Sequence, residues 1–254
     1  MSPNNKNSWR QALYSRIKSL KKALIIMCAF TLTSCASYQG HDVADPWQGF
    51  NRSVYVFNDT LDKGILKPLA LAYDAITPGP VDKGITNFFA NIADIGSAVN
   101  NLLQGKLNLF FTDIGRIAIN TTVGVAGLFD VASEMGLQKS GEDLGQTMGY
   151  WGMNSGPYVM LPIFGPSSLR DAPAKIISFL LQPEIRNSST QTKLDLLNAI
   201  DTRSDFLRTE ESTKELAKDR YTFIKNAYLD HRQFLVTDGV LEGDAIQREL
   251  AAVE

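Results

Sequence analysis

The amino-acid sequence predicts an all-α protein, a single domain of amphipathic helices broken by one glycine- and proline-rich loop or hairpin, attached to a membrane or lying in it. Three observations predict this. Apolar residues recur at spacings of three and four in one segment after another, the signature of helices with one greasy face. Between Asn87 and Leu128 the only charges are Asp94, Lys106, Asp113 and Arg116, four in 42 residues, where about a quarter of the residues in a soluble domain are charged. The stretch from Gly141 to Pro173 collects six glycines and four prolines among bulky residues such as Tyr150, Trp151, Tyr158 and Phe164. Glycine and proline both weaken helix interiors, so this stretch reads as a shaped loop or hairpin, with a buried packing connection as the plainer alternative.

The N-terminus sets the address. Residues 1–22 hold six Lys and Arg and no acid, and an apolar run follows from Ala23 to Leu32. This is the pattern of a secretory signal. It ends in Leu32-Thr33-Ser34-Cys35, which resembles the lipobox of bacterial lipoproteins, where the cysteine becomes the acylated first residue. Residues 1–34 are therefore expected to be a signal peptide, Cys35 the lipidation site, and residues 35–44 a short tether. Ala36, where an inner-membrane lipoprotein would carry Asp, favours the outer membrane by the same resemblance. Cys28 lies in the apolar run and leaves with it, so the mature chain has one cysteine and no disulfide.

The elements follow in order. Asp45-Pro46 is expected to cap a helix whose apolar face is Trp47, Phe50, Val54, Phe57 and Leu61. Asn51 and Asn58, seven residues apart, share another face with Arg52 and Asp59, which suits a polar outer surface. A second helix runs from about Pro68 to Ile76 and is broken by Thr77-Pro78-Gly79-Pro80. A third carries Val81, Ile85, Phe88, Phe89 and Ile92, and a separate short helix spans Ser97 to Gln104, closed by Gly105. Leu107, Phe110, Phe111, Ile114, Ile117 and Ala118 mark the next stripe, ending at Asn120. These charge-poor helices are expected to meet more hydrocarbon than water; the deepest part of an ordinary bundle would show the same sparseness. Lys175 to Leu181 is a brief helix stopped before Pro183, and Thr190 to Arg203 another with alternating charge. Ser212 to Glu215 fits a capping box opening a last helix on Tyr221, Ile224 and Tyr228, closed by Asp238-Gly239. The domain thus covers 45–236, and residues 237–254 form an acidic tail.

Charge and motifs exclude whole classes of function. Six of the 25 Lys and Arg precede Cys35 and no acid does, leaving 19 bases against 27 acids, a formal charge of −8. Such a surface does not suit nucleic acid. His41 and His231 lack ligand-spaced company, so neither a metal nor another cofactor is expected. There is no Gly-x-Ser-x-Gly elbow around Ser155, and no phosphate-binding glycine pattern. Glu142-Asp143 reads as a helix start stabilised by the macrodipole, not as an acid-base pair. No catalytic residue is expected.

The blocks Asp45-Pro46-Trp47-Gln48-Gly49-Phe50-Asn51-Arg52, Phe57-Asn58, Asn87-Phe88, Gly149-Tyr150-Trp151-Gly152, Ser155-Gly156-Pro157-Tyr158-Val159-Met160-Leu161-Pro162 and Leu169-Arg170-Asp171 together resemble the MlaA, or VacJ, family of outer-membrane lipoproteins. The resemblance implies a ring-like helical body sunk in the inner leaflet of the outer membrane and enclosing an amphipathic channel. Its implied function is to remove misplaced phospholipids from the outer leaflet and pass them to the periplasmic carrier MlaC. Trimeric porins are implied as partners. It further implies a flexible glycine-rich loop beside the channel, carried here by Gly149, Gly152 and Gly156 with Pro157 after them, and a supporting position for Asn58 on the first helix. An alternative of a different class is a lipoprotein that scaffolds or modulates porins without moving lipid. A third, lipid hydrolysis, would need Ser155.

Overall fold

The structure, a computed structural model, describes residues 44–181, 188–214 and 219–239. All the described residues belong to one compact unit. The expected signal peptide, Cys35, most of the tether and the tail beyond Gly239 lie outside the described residues.

Helix α1 (Gln48–Leu61) passes through a π-helical segment, Asp62–Leu66, into α2 (Lys67–Ile76). Pro68, in the first turn of α2, has no N–H for the carbonyl four residues back, and one wider turn carries the chain past it. Asp45 does not cap α1. Trp47 occupies the capping position without a side-chain bond, because the Asp45 carboxylate is drawn inward: it accepts from Asn51 Nδ2 at 2.8 Å and from the Tyr221 hydroxyl at 2.5 Å.

Helix α3 is one continuous element, Gly79–Leu103, where two were expected. Asp94 does not break it, since its side chain leaves the helix axis to meet Arg116. Gly105, with φ at +73°, supplies the left-handed residue that turns the chain into α4 (Leu107–Thr122). Asp130 caps the single turn α5 (Val131–Glu134), and Asp143 caps α6 (Leu144–Tyr150) by accepting from the Gln146 N–H at 2.9 Å.

The rest of the Gly/Pro-rich stretch is a two-stranded antiparallel hairpin, β1 (Tyr158–Leu161) and β2 (Gly165–Ser168), pairing Tyr158 with Ser168 and Leu161 with Gly165. Three helices follow: α7 (Asp171–Leu181), α8 (Ser188–Lys214) and α9 (Arg220–Val236). The expected capping box fails here. Ser212 lies inside α8, Glu215 is outside the described residues, and Asp219 caps α9 by accepting from the Tyr221 and Thr222 N–H groups. Asp238 and Gly239, both at positive φ, close α9 as expected. Among the described residues no helix is long and apolar enough to cross a membrane.

α3 packs against α4, α2 against α8, and α1 against β1. The small apolar core is Val54, Tyr158, Met160 and Tyr221, and the tyrosines meet edge to face with Tyr158 and Tyr221 centroids 6.2 Å apart.

Candidate functional site

The α3–α4 pair is turned inside out. Asp94, Ser97, Ala98 and Asn101 of α3 with Gln104 just after it, and Asp113, Arg116 and Asn120 of α4, are buried. Their spacing of three and four puts each set on one helical face. Ile95, Val99, Leu102 and Leu103 on α3, and Leu107, Phe111 and Ile114 on α4, point outward and are exposed.

The buried charges are matched. Arg116, only 1% exposed, donates from Nε to Asp94 at 3.0 Å, and from Nη1 to the Ser133 hydroxyl at 2.8 Å and the Leu137 carbonyl at 2.7 Å. Burial pushes the Asp94 carboxyl up, and the Arg116 charge only partly pulls it back. Asp113 accepts from Asn101 Nδ2 and the Ser140 hydroxyl, both at 2.8 Å. Lys106 reaches the Glu142 carboxylate at 3.0 Å and also bonds Asp238 at the end of α9. All four charges of the sparse 42-residue stretch therefore turn away from the apolar outer face.

Between α4 and α5 the chain makes a turn with Val125, Ala126 and Gly127 at positive φ. Its N–H groups are spent internally: those of Ala126, Gly127 and Phe129 bond the carbonyls of Thr121, Asn120 and Gly124. Val123, Val125, Leu128 and Phe129 are exposed around it. A turn with most of its N–H groups bonded internally and apolar side chains around it is suited to hydrocarbon, where an unmade hydrogen bond is costly.

The hairpin is held by two asparagines from α1. Asn51 accepts from the Met160 N–H at 2.9 Å and donates to the Tyr158 carbonyl at 3.1 Å. Two turns on, Asn58 accepts from the Ile163 N–H at 2.8 Å and donates to the Leu161 carbonyl at 2.9 Å. The face expected to be polar and outward is thus the face that grips the hairpin, while Trp47 and Phe57 of the expected inner stripe are exposed. Ile163 sits at φ +69°, an unfavourable conformation for a β-branched residue, and the Asn58 bond holds it there.

A second ionic cluster braces the hairpin from behind. Asp171 accepts from Arg170 Nε at 2.8 Å, the Tyr228 hydroxyl at 2.8 Å and Arg232 Nε at 3.0 Å. Arg232 also bonds Asp143 at 2.5 Å. Burial alone would raise the Asp171 carboxyl; Arg170 and Arg232 outweigh it and hold the group well below the usual carboxylate range. A Cβ on Gly145 would stand 2.4 Å from Asp171 Oδ1, so the helix approaches the cluster closely only because that residue is glycine.

Beside the hairpin lies a cleft of about 450 Å³. Asn58, Met160 and Pro166 form its hairpin side; Asp62, Arg203, Glu210 and Arg220 supply charge; Phe206, Phe223 and Ile224 supply an apolar wall. Arg203 donates to Asp62 at 2.7 Å and Glu210 at 2.7 Å. Burial would raise the Glu210 carboxyl, but hydrogen bonds from Arg203 and Lys67 bring it down to about 2.

Of the candidates read from the sequence, Asn58 alone is among the residues that line this cleft. Gly149 is in α6, not in a loop, and a Cβ there would come within 2.7 Å of Arg170 Nη1 and of Val236. Gly152, at φ +89°, and Gly156, at φ +68°, are in the connection to β1. The Pro157 carbonyl accepts from the Leu169 N–H at 3.0 Å. Arg203, Glu210 and Arg220 were not singled out, since they reach the cleft from a part of the chain more than 100 residues after Asn58. Among the described residues no group of three His, Cys, Asp or Glu is placed to hold a metal.

This arrangement, an inverted helix pair beside a clamped hairpin, coincides with a match to the MlaA lipoprotein family model over residues 43–235. The chain belongs to the MlaA lipoprotein family. MlaA of Escherichia coli (strain K12), the intermembrane phospholipid transport system lipoprotein, is 30% identical over 93% of this chain and 96% of its own length. The protein of the same name in Shigella flexneri is 31% identical over the same shares. A Rickettsia typhi protein without an assigned function is 32% identical over 80% of this chain and 88% of its own. A solved structure described as "Structural basis for maintenance of bacterial outer membrane lipid asymmetry" superposes with a TM-score of 0.66 at 31% identity, covering 76% of this chain and 98% of that one. The helical fold of this chain is thus shared with a solved relative.

Proposed function

We propose that this chain is a lipoprotein of the outer membrane that removes misplaced phospholipids from the outer leaflet and so maintains lipid asymmetry. Residues 1–34 are its signal peptide, and Cys35 is the acylated residue that anchors it on the periplasmic side. A periplasmic carrier of the MlaC type receives the lipid, and trimeric porins hold the protein in place. The observation that carries this reading is the inverted α3–α4 pair: Asp94, Asp113 and Arg116 turned inward, Phe111 and its neighbours outward, in a chain whose relatives bear the name of a phospholipid transport system.

The energetics call for such a device. A two-chain lipid exposes about 30 methylenes in water, at ~0.8 kcal/mol each roughly 24 kcal/mol, and its charged headgroup cannot cheaply enter hydrocarbon. A cleft with a charged side and an apolar wall, beside helices wetted by hydrocarbon, lowers the second cost. The first is left to a carrier with an apolar cavity. The Asn58-clamped hairpin and the Gly152–Pro157 connection border that path.

Deleting the gene and labelling outer-leaflet phospholipid tests the proposal. The deletion strain should accumulate surface phospholipid; no increase would overturn it. Cys35→Ala should leave unprocessed precursor without palmitate label, and normal labelling would refute the anchor.

A further inference from the structure

The charges that line the cleft balance, Asp59, Asp62 and Glu210 against Lys63, Arg203 and Arg220. Lys67, Arg203 and Arg220 gather around two carboxylates, Asp62 and Glu210. Lys67 Nζ bonds Glu210 at 3.1 Å, and Arg203 bridges Glu210 and Asp62. Arg220 is the loosest member of this set, in a longer ion pair with Glu210. Its Nη2 is 3.6 Å from Glu210 Oε1, outside hydrogen-bond reach, and its side chain is 41% exposed where it lines the cleft. Within the same cleft Phe206 is 61% exposed, Phe223 is 41% exposed, and Ile224 adds to them.

A guanidinium offers a planar fork of N–H donors that fits two oxygens of a phosphate. Exposed phenyl rings next to it fit methylenes, which inorganic phosphate does not have. Resting on the lipid-transport reading, we infer that Arg220 is the phosphate ligand of the cleft, seating a phospholipid's phosphodiester while Phe206 and Phe223 cover its glycerol and first acyl carbons.

The test uses the full-length lipidated protein in detergent micelles and a phosphatidylglycerol carrying a diazirine near the top of one acyl chain. Light should attach the probe to peptides containing Phe206 or Phe223. Losing one charge-assisted contact should weaken capture about tenfold, so Arg220→Gln is expected to cut the yield by that factor at subsaturating lipid, and Arg220→Lys to keep part of it. Equal yields from wild type and both variants, with unchanged melting temperatures, would overturn the assignment. Complete displacement of the probe by an equal concentration of inorganic phosphate would make this a free-phosphate site and overturn the lipid assignment too. Wild-type protein that captures no lipid anywhere would overturn the transport reading itself, whereas capture only at other peptides would overturn the Arg220 subsite and leave that reading standing.

Discussion

The α3–α4 pair and the core under the hairpin solve opposite problems with the same helical period. In the first, Asp94, Asn101, Asp113 and Arg116 are inside and Val99, Phe111 and Ile114 outside; in the second, Val54, Met160, Tyr158 and Tyr221 are inside, and Asp230, His231 and Gln233 of α9 face outward. The hydrophobic effect moves apolar surface away from water, and it has nothing to do where the surroundings are hydrocarbon. A helix in such surroundings hides its charges and pairs them. The contrast teaches that the two regions are built for different solvents.

The comparison breaks most sharply at Arg116. Arg116→Met strands the buried Asp94 carboxylate and should cost about 3 to 5 kcal/mol, seen as loss of the folded protein in thermal unfolding. Next comes Phe111→Asp. On a water-facing helix it would shift stability by within about 0.5 kcal/mol, but against hydrocarbon it should cost about 2 to 3 kcal/mol, measured as weakened binding to phospholipid vesicles of an unlipidated form that begins at Ala36; binding equal to the parent would place that face in water.

In the hairpin region, Asn51→Ala removes both bonds to β1 and should cost about 2 kcal/mol, with Asn58→Ala costing about half as much because its site is partly exposed. Amide hydrogen exchange should quicken at Met160 in the first variant and at Ile163 in the second. Acid gives a gentler test. The Glu210 carboxyl is depressed from 4.5 to about 2, so its contribution to stability is full above 4.5 and is lost as pH falls from there toward 2; Glu210→Gln should flatten that limb of the melting curve. Smallest of all, Gly152→Ala meets no atom within 4 Å but keeps a φ of +89°, a strain of about 1 kcal/mol.

Periodicity made α1, α2, α4 and α9 legible, and the glycine and proline content of 141–173 made the hairpin legible as a loop or hairpin. Periodicity gives a face and not its direction. On α1 the stripe of Phe57 looked like the inside and the asparagines like the outside, but Asn51 and Asn58 carry two hydrogen bonds each to a hairpin more than 100 residues away. The break expected between Ile92 and Ser97 failed because the one acid in that gap, Asp94, looks like an interruption of an apolar run until Arg116, 22 residues later, is seen to pair with it. Asp45 was misread for the same reason: its partner Tyr221 is 176 residues distant. The cleft's Arg203, Glu210 and Arg220 belong to charged helices whose local pattern resembles any solvated surface.

The central claim, that α3–α4 meets hydrocarbon while α9 meets water, is tested most directly by fluorescence quenching depth. A single environment-sensitive label placed by Phe111→Cys, and separately by Asp230→Cys, would be read in nanodiscs of brominated lipid and with an aqueous quencher. The account predicts strong quenching by the lipid bromines and little by the aqueous quencher at position 111, with the reverse at position 230. Equal aqueous quenching at the two positions would contradict it.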